Sequence, residues 1–286
     1  MNTIVGVDIT GTYESALRIL ARLKIDSTTL KLVHVDEPPL FSHDEGLSWT
    51  PEFLELRDRF DEGALNDAGA VATDLGFKHE TLVTAGSPAE ALMGQADEAK
   101  ADLIAVGSSP EPKVTALFFG SVGRALAIGS HQSVLIAKGS VEKEGPLTIL
   151  VTTDHSRYSD YAIGLLASLQ PKGIGRLVLL TAIDDGMVGG ADPAHIEKVR
   201  QHMEAKSKEI VDRFAAVGIP SEYRVVEQDL DGAIEAQMKE LGAELLVMGA
   251  QGHGFIQRLF IGSVSLKQVV ASRHSILILR PQAVPE

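Results

Sequence analysis

Three glycines and a serine near the end of the chain have a spacing that suits phosphate binding. Gly249, Gly252 and Gly262 are separated by two and nine residues, and Ser263 follows the last of them. A glycine lets a phosphate approach the main chain and tolerates the positive φ of anion-binding turns. The apolar run 245–248 is typical of a buried strand, and a helix pattern follows Ser263, so that a helix N-terminus is offered to the anion. The segment is either a phosphate-binding loop for a nucleotide or a glycine-rich strand-to-helix connection.

The chain contains this pattern twice. Gly107, Gly120 and Ser121 stand 142 residues before Gly249, Gly262 and Ser263, respectively. The apolar run 133–138 recurs at 275–280 with the same separation. A period of this length indicates a duplicated domain, and a chain of 286 residues suits two domains of ordinary size.

Each copy alternates apolar strands with helical patterns, and this alternation predicts an α/β fold. Continuously apolar strands are typical of parallel sheets covered on both faces. We therefore predict two tandem doubly wound parallel five-stranded sheets of Rossmann-like type, with domain 1 at residues 1–140 and domain 2 at 146–286. The predicted strands are 3–8, 29–35, 79–85, 102–107, 133–138, 147–153, 175–182, 221–227, 244–249 and 275–280. The predicted helices are 13–23, 51–75, 87–99, 120–129, 157–169, 193–217, 230–241 and 263–272.

A carboxylate ends the first strand of each copy, Asp8 in one and Asp154 in the other. In doubly wound sheets, ligands bind beyond the carboxyl ends of the strands, where the strand order reverses. Asp154 can therefore be a ligand of a phosphate-bound Mg²⁺, directly or through water. With Ser156 it can also cap the following helix, and the two roles are compatible.

Charge and composition exclude several classes of partner. The chain has 26 Lys and Arg against 39 Asp and Glu, a net charge of −13 that repels a nucleic-acid backbone. No basic segment followed by an apolar one opens the sequence, and no apolar run reaches bilayer length, so we expect no signal peptide, no membrane partner and a cytoplasmic location. Cysteine is absent, which excludes thiolate chemistry. Neither a P-loop nor a Gly-x-Gly-x2-Gly motif occurs.

An Asp after the first strand of each copy, and Gly-x2-Gly-x9-Gly-Ser after the fourth strand of the second copy with a variant of it in the first, resemble the universal stress protein family over nearly the whole chain. The segment 86–92 leading to 101–104 is also typical of that family. The resemblance implies an adenine nucleotide alpha hydrolase-like fold. For members that keep the glycine motif it also implies binding of ATP, with the adenine against the end of the second strand. The positions that carry over are Thr152, Asp154, Ala182, Met248, Gly249, Gly252, Gly262, Ser263 and Val264.

The first copy departs from the family pattern in its glycine loop. Pro110 stands where the second copy has Gly252, and proline has no N–H to donate and a fixed φ. A candidate second site keeps its remaining positions. They are Asp8, Val35, Gly107, Gly120 and Ser121. We therefore expect one main ATP site, in the second copy, with Mg²⁺ held through Asp154.

These observations predict an ATP-binding tandem universal stress protein with a stress-response or regulatory role, whose nucleotide state alters its shape or its binding of an unidentified protein partner. Two alternatives stay open: an interaction or ligand-carrying stress protein whose clefts bind a non-nucleotide ligand, and a slow ATPase. Dedicated catalysis is not expected, because no positioned base or nucleophile is visible. The adjacent Asp154, His155 and Ser156 have the residue types of a catalytic triad, but adjacency in sequence is not triad geometry.

The last strand of each copy is apolar and is predicted to lie at a sheet edge. A bare apolar edge promotes association, and proteins cover or charge such edges. In the family that this chain resembles, such edges meet across a two-fold axis between two chains. Because both copies here share one chain, we predict that the two edges pair internally as a pseudo-dimer, which leaves the chain a monomer or a homodimer.

Overall fold

The computed structural model describes residues 1–37, 51–108, 121–139, 144–183, 192–250 and 261–281, with the backbone alone for 51–60. This part of the chain contains ten strands and eight helices. The strands are β1 (Asn2–Val7), β2 (Thr29–Asp36), β3 (Lys78–Ala85), β4 (Leu103–Ser108), β5 (Ser133–Lys138), β6 (Leu147–Thr152), β7 (Ile174–Ala182), β8 (Ser221–Val226), β9 (Leu245–Gly249) and β10 (Ser275–Leu279). The helices are α1 (Tyr13–Leu23), α2 (Pro51–Asp74), α3 (Pro88–Glu98), α4 (Ser121–Gly129), α5 (Arg157–Ser168), α6 (Pro193–Ala216), α7 (Leu230–Leu241) and α8 (Ser263–Ala271).

All ten strands belong to one sheet, in the order β3-β2-β1-β4-β5-β10-β9-β6-β7-β8. Within each half the neighbouring strands are parallel, as the alternation of strands and helices predicts. At the centre β5 and β10 are antiparallel, with Leu135 opposite Leu277. The predicted pairing of the two edges is therefore confirmed, and it joins the two five-stranded halves into a single sheet.

Alternate side chains of the strands enter two apolar layers, one on each face of the sheet. One layer contains Val5 and Val151 with residues of α1, α2, α5 and α6, and the other contains Ile4 and Leu150 with residues of α3, α4, α7 and α8. Both layers extend across the two halves. Because both faces of the central strands are covered, strands such as β5, β9 and β10 are apolar at nearly every position. Each strand end predicted from the sequence lies within one residue of the observed end. Among the described helices, none has the length and apolarity needed to cross a bilayer.

Two cations close the seam between β5 and β10. Lys138 at the end of β5 donates from Nζ to the carbonyl oxygens of Val269 and Ser272, at 2.8 and 2.7 Å, where α8 of the other half ends. Arg280, just after β10, reciprocally donates to the carbonyl of Ala127 near the end of α4. The last carbonyls of a helix lack intrahelical partners and carry a partial negative charge, so each cation stabilises a helix of the opposite half.

A second contact between the halves lies at the end of α1, beside residues that precede three strands of the second half. Arg22 forms two hydrogen bonds to the carboxylate of Glu244, at 2.6 and 2.9 Å, and donates from Nε to the carbonyl of Gly145 at 3.1 Å. The N–H of Gly173 donates to the carbonyl of Leu23 at 3.1 Å. The main chains approach so closely here that a Cβ on Gly173 would lie 1.6 Å from the carbonyl oxygen of Arg22.

We predict that Gly173→Ala destabilises the protein by roughly 2 kcal/mol, because the added methyl group must displace main chain of the other half. Gly164→Ala is the matched control, since Gly164 lies in α5 with nothing within 4 Å of its Cβ position. That change should stabilise the helix by up to about 1 kcal/mol. Urea unfolding of both variants measures the difference. Equal stability of the two would show that the close approach at Gly173 is not maintained in solution.

The half-buried Lys138 is predicted to make the free energy of unfolding depend on pH. Burial lowers the pKa of Lys138 from 10.5 to about 8. Between these pH values the unfolded chain binds more protons than the folded chain, so this lysine makes the free energy of unfolding rise with pH. The neutral amine still has two N–H groups for its two carbonyl partners. Urea unfolding at pH 7.5 and 9.5 should therefore show a gain in stability that Lys138→Met lacks and that Lys239→Met, at an exposed position, retains.

Candidate functional site

The strand order reverses once in each half, between β1 and β4 and between β6 and β9. The helices that follow the strands on either side of such a point cover opposite faces of the sheet, which leaves a cleft beyond the carboxyl ends of the strands. The candidate residues that the structure describes lie at or next to these strand ends and at the starts of α4 and α8. We describe the two clefts as the first cleft and the second cleft, at the ends of β1 and β4 and at the ends of β6 and β9.

At the second cleft, the candidate residues come from three strand ends and one helix start. Thr152 ends β6, Ala182 ends β7, and Met248 and Gly249 end β9. Thr152 and Met248 are buried, whereas Ala182 is half-buried. Gly252 lies outside the described residues.

The start of α8 is tied to the end of β9. Gly262 precedes the helix in an extended conformation and donates its N–H to the carbonyl of Ala250 at 2.7 Å. The Ser265 hydroxyl donates to the carbonyl of Gly249 at 3.0 Å. Gly262, at the N-cap position, has no side chain that could cap the helix. The N–H groups of Ser263 and Val264 have no partner inside the helix, as in the first turn of any α-helix, and so they suit an anion bound at this edge.

Asp154 shapes the loop between β6 and α5. Its Oδ1 accepts a hydrogen bond from the N–H of Ser156 at 3.0 Å, and the Ser156 hydroxyl accepts from the N–H of Ser159 at 3.2 Å as the N-cap of α5. The capping role considered from the sequence is therefore present, carried by Ser156 and supported by Asp154. Within the described residues, no three His, Asp or Glu side chains come together as a metal site, and the role of Asp154 towards Mg²⁺ stays a prediction.

His155 has a structural position that the sequence did not reveal. Its backbone is left-handed, with φ of 54°, and its side chain is buried. Nε2 lies 3.0 Å from Oγ1 of Thr181 on β7 and 3.2 Å from Oγ of Ser207 on α6. A left-handed conformation costs a non-glycine residue roughly 1 kcal/mol, which buried hydrogen bonds can offset. His155 thus belongs to the packing of the second half, and it forms no triad with its sequence neighbours.

At the first cleft, Asp8 holds the start of α1. Its Oδ1 accepts hydrogen bonds from the Thr12 hydroxyl at 2.9 Å and from the N–H of Tyr13 at 3.2 Å, while Oδ2 accepts from the N–H of Thr10 at 3.2 Å and from its hydroxyl. Burial, and then the negative charges of Asp67, Glu14 and Asp8, raise the pKa of Tyr13. The surroundings of this helix start are therefore acidic.

Gly107 is required by packing. A Cβ at this position would lie 1.9 Å from the carbonyl oxygen of Thr12, because the start of α1 crosses directly over the end of β4. Ser121 is exposed at the start of α4. Gly120 and Pro110 lie outside the described residues.

A cavity of about 360 Å³ occupies the first cleft. Three of the predicted second-site residues, Asp8, Val35 and Gly107, line it. The expectation that the second copy is the main site is not tested by this cavity, but the structure does bring these first-copy residues together around an open volume. Sites for small ligands usually have volumes of this order.

A buried His–Asp pair also lines this cavity, and the sequence gave no indication of it. His34 on β2 places Nδ1 2.8 Å from the carbonyl oxygen of Val7 and Nε2 3.0 Å from Oδ1 of Asp61 on α2. Both residues are buried. Residues 34 and 61 meet only because α2 packs on β2, so no local sequence pattern records the pair.

Comparison with known proteins agrees with this fold. The sequence profile of the Universal stress protein family matches the chain twice, at residues 1–138 and 147–280. The chain belongs to the universal stress protein family. A universal stress protein of Mycolicibacterium smegmatis is 23% identical over 98% of this chain and 97% of its own length. A universal stress protein of Thermus aquaticus is 29% identical over 46% of this chain and 98% of its own length.

A solved universal stress protein of Archaeoglobus fulgidus has the same fold over both halves. It covers 98% of each chain with a TM-score of 0.64 and 18% identity. The resemblance noted from the glycine spacing is thus confirmed at the level of the family and of the tandem fold.

We predict that Asp8→Ala destabilises this tandem universal stress protein by about 1–2 kcal/mol, because the carboxylate that accepts from the N–H of Tyr13 at the start of α1, and from the N–H of Thr10 before it, is lost. Asp8→Asn keeps the oxygen that Thr12 and Tyr13 use and should cost less. Thermal unfolding monitored by circular dichroism compares the two variants. A loss in Asp8→Asn as large as that in Asp8→Ala would assign the effect to charge and not to the cap.

Proposed function

We propose that this universal stress protein binds ATP in the second cleft, with Mg²⁺ on the phosphates, and that the bound nucleotide regulates a stress response. The observation that carries the proposal is the start of α8, where a helix N-terminus with glycine at its N-cap position lies next to the end of β9. Uncapped N–H groups and the helix dipole favour a phosphate at this point.

The three strand ends supply the rest of the proposed site. Thr152, Ala182 and Met248 offer a largely apolar edge for the adenine, on the side away from the phosphates. Asp154 follows β6 at the same edge and keeps one carboxylate oxygen for the hydrogen bond to Ser156. We propose that this carboxylate reaches the nucleotide-bound Mg²⁺ through water, which is compatible with its hydrogen bond to the loop.

The two-domain division at 1–140 and 146–286 and the monomeric or homodimeric state are parts of the same proposal. Since β5 and β10 cover each other, the chain does not need a second copy to cover these two apolar strands. A protein partner that responds to the nucleotide is compatible with this arrangement, and the cytoplasm stays the predicted compartment. A slow ATPase activity stays the alternative within the same site.

A ligand-carrying role is the second candidate function, and the cavity in the first cleft favours it. That cavity lies in the half whose glycine loop contains Pro110. The two candidates concern different clefts and can both be true of one chain.

We predict one strong ATP site per chain in calorimetric titration with Mg²⁺, and weaker binding at that site in Ser263→Pro. Proline at the first position of a helix keeps the helix but removes one N–H, and Gly262 already has the extended conformation, with ψ of 154°, that a following proline requires. One lost hydrogen bond to a charged phosphate should weaken binding about tenfold or more.

Ser263→Ala is the matched control, since it removes the hydroxyl and keeps the N–H, and it should weaken binding less than the proline does. Asp154→Ala should reduce the dependence of ATP affinity on Mg²⁺. Two equal ATP sites per chain would contradict the preference for the second cleft. Unchanged affinity in Ser263→Pro would show that the phosphates bind elsewhere.

A further inference from the structure

The residue after Asp154 attaches the loop between β6 and α5 to two other elements. The imidazole Nε2 of His155 lies 3.0 Å from the hydroxyl oxygen of Thr181 on β7 and 3.2 Å from that of Ser207 on α6. The two hydroxyl oxygens are 3.4 Å apart, so the three groups form one closed set. All three residues are buried. The loop is therefore anchored in the interior of the second half by a side chain.

The main chain of His155 is held at the same time. Its N–H donates to Oγ1 of Thr153 at 3.0 Å, and that oxygen lies 2.7 Å from the hydroxyl oxygen of Ser159 in the first turn of α5. The backbone φ of 54° is uncommon for a residue other than glycine, although histidine is among the residue types that adopt it more often. Since its side chain and its backbone are both fixed, His155 determines the direction in which the chain leaves Asp154.

Within the described residues, the first half has no counterpart of this anchor. Asp8 and Asp154 follow the corresponding strands β1 and β6, so that Ile9 corresponds to His155. Ile9 is 65% exposed, whereas His155 is 7% exposed. In the first half the aspartate itself holds the loop, because Asp8 accepts hydrogen bonds from residues 10, 12 and 13. The two halves therefore fix the loop after their first strand in different ways.

We propose that His155 is a positioning residue of the second cleft, which fixes the carboxylate of Asp154 where it reaches the Mg²⁺ of bound ATP. This role rests on the proposed function, because it concerns the same site. His155 acts through Asp154, since its own Nε2 faces β7 and α6. Removal of a group that orients a metal-binding side chain typically lowers metal affinity by roughly 10–100-fold. Through Ser207, the position of Asp154 also depends on α6.

Calorimetric titration of the full chain with ATP, once with Mg²⁺ and once with excess EDTA, tests this role in His155→Asn. Asparagine tolerates a left-handed backbone, but its side chain is too short to reach the hydroxyls on β7 and α6. The variant should bind ATP about tenfold more weakly than the wild type when Mg²⁺ is present, with unchanged affinity for metal-free ATP. The double variant Thr181→Val, Ser207→Ala keeps His155 but removes both hydroxyls that hold its imidazole, and it should reproduce this loss.

Phe214→Leu is the matched control for general loss of stability. Phe214 is a buried residue of α6, about two turns beyond Ser207. The control should lower the midpoint of urea unfolding, as His155→Asn does, but leave the affinity for ATP with Mg²⁺ at the wild-type value. Equal weakening of ATP binding in the control would overturn the inference, and so would a loss in His155→Asn that is the same with and without Mg²⁺.

Amide hydrogen exchange without nucleotide separates the anchor from the proposed function. The N–H groups of Ser156 and Ser159 donate within the loop, to Oδ1 of Asp154 and to the hydroxyl of Ser156. They should exchange about tenfold or more faster in His155→Asn, because the loop opens locally more often. Unchanged exchange at both positions would overturn the inference. A chain that shows the expected exchange but binds no ATP would reject the proposed function alone, whereas wild-type affinity for ATP with Mg²⁺ in His155→Asn would reject the positioning role alone.

Discussion

The antiparallel pairing of β5 with β10 is the contact on which the placement of both clefts depends. Each of these strands is an apolar sheet edge that would otherwise expose unpaired N–H and C=O groups. The other strands of each half run parallel to β5 or to β10, and these two strands are antiparallel. The carboxyl ends of the strands in one half therefore point in the opposite direction to those in the other half. The two clefts therefore open in opposite directions, and a ligand in one does not touch a ligand in the other.

The seam also connects each cleft to the opposite half through one helix. The N-terminus of α8 is at the second cleft, and its C-terminal carbonyls accept hydrogen bonds from Lys138 of the first half. The helix α4 begins beside the first cleft, where Val122 lines the cavity, and Arg280 of the second half donates to it near its other end. A ligand that shifts either helix must therefore act against a charged hydrogen bond across the seam.

The sequence predicted the parts of this structure that follow from local pattern. Strands that are covered on both faces appear in the sequence as continuous apolar runs, such as 177–180. The glycine motif located the strand end at Gly249 and the helix start at Ser263. The remaining features depend on contacts between distant residues, for which the sequence has no periodicity. His34 meets Asp61 and His155 meets Ser207 only after a long helix has packed on the sheet. The glycine at 173 is explained by main chain of the other half and not by its own turn.

Buried hydrogen-bonded groups differ between the two clefts, although both halves share the pairing of β5 with β10. Val33 on β2 pairs with Gly6, and Leu180 on β7 pairs with Thr152, so that His34 and Thr181 follow at corresponding positions of the two halves. At the first position the imidazole belongs to the strand and pairs with a carboxylate, whereas at the second the strand has a hydroxyl that shares a hydrogen bond with a buried imidazole from the preceding loop. A buried polar group without a partner costs about 1–3 kcal/mol. A change of one member alone would therefore be penalised in either half, and each arrangement persists as a set. Among the described hydrogen bonds, none joins a member of these two sets to the β5–β10 seam, so the buried polar contacts can differ between the halves while the shared sheet keeps its stability.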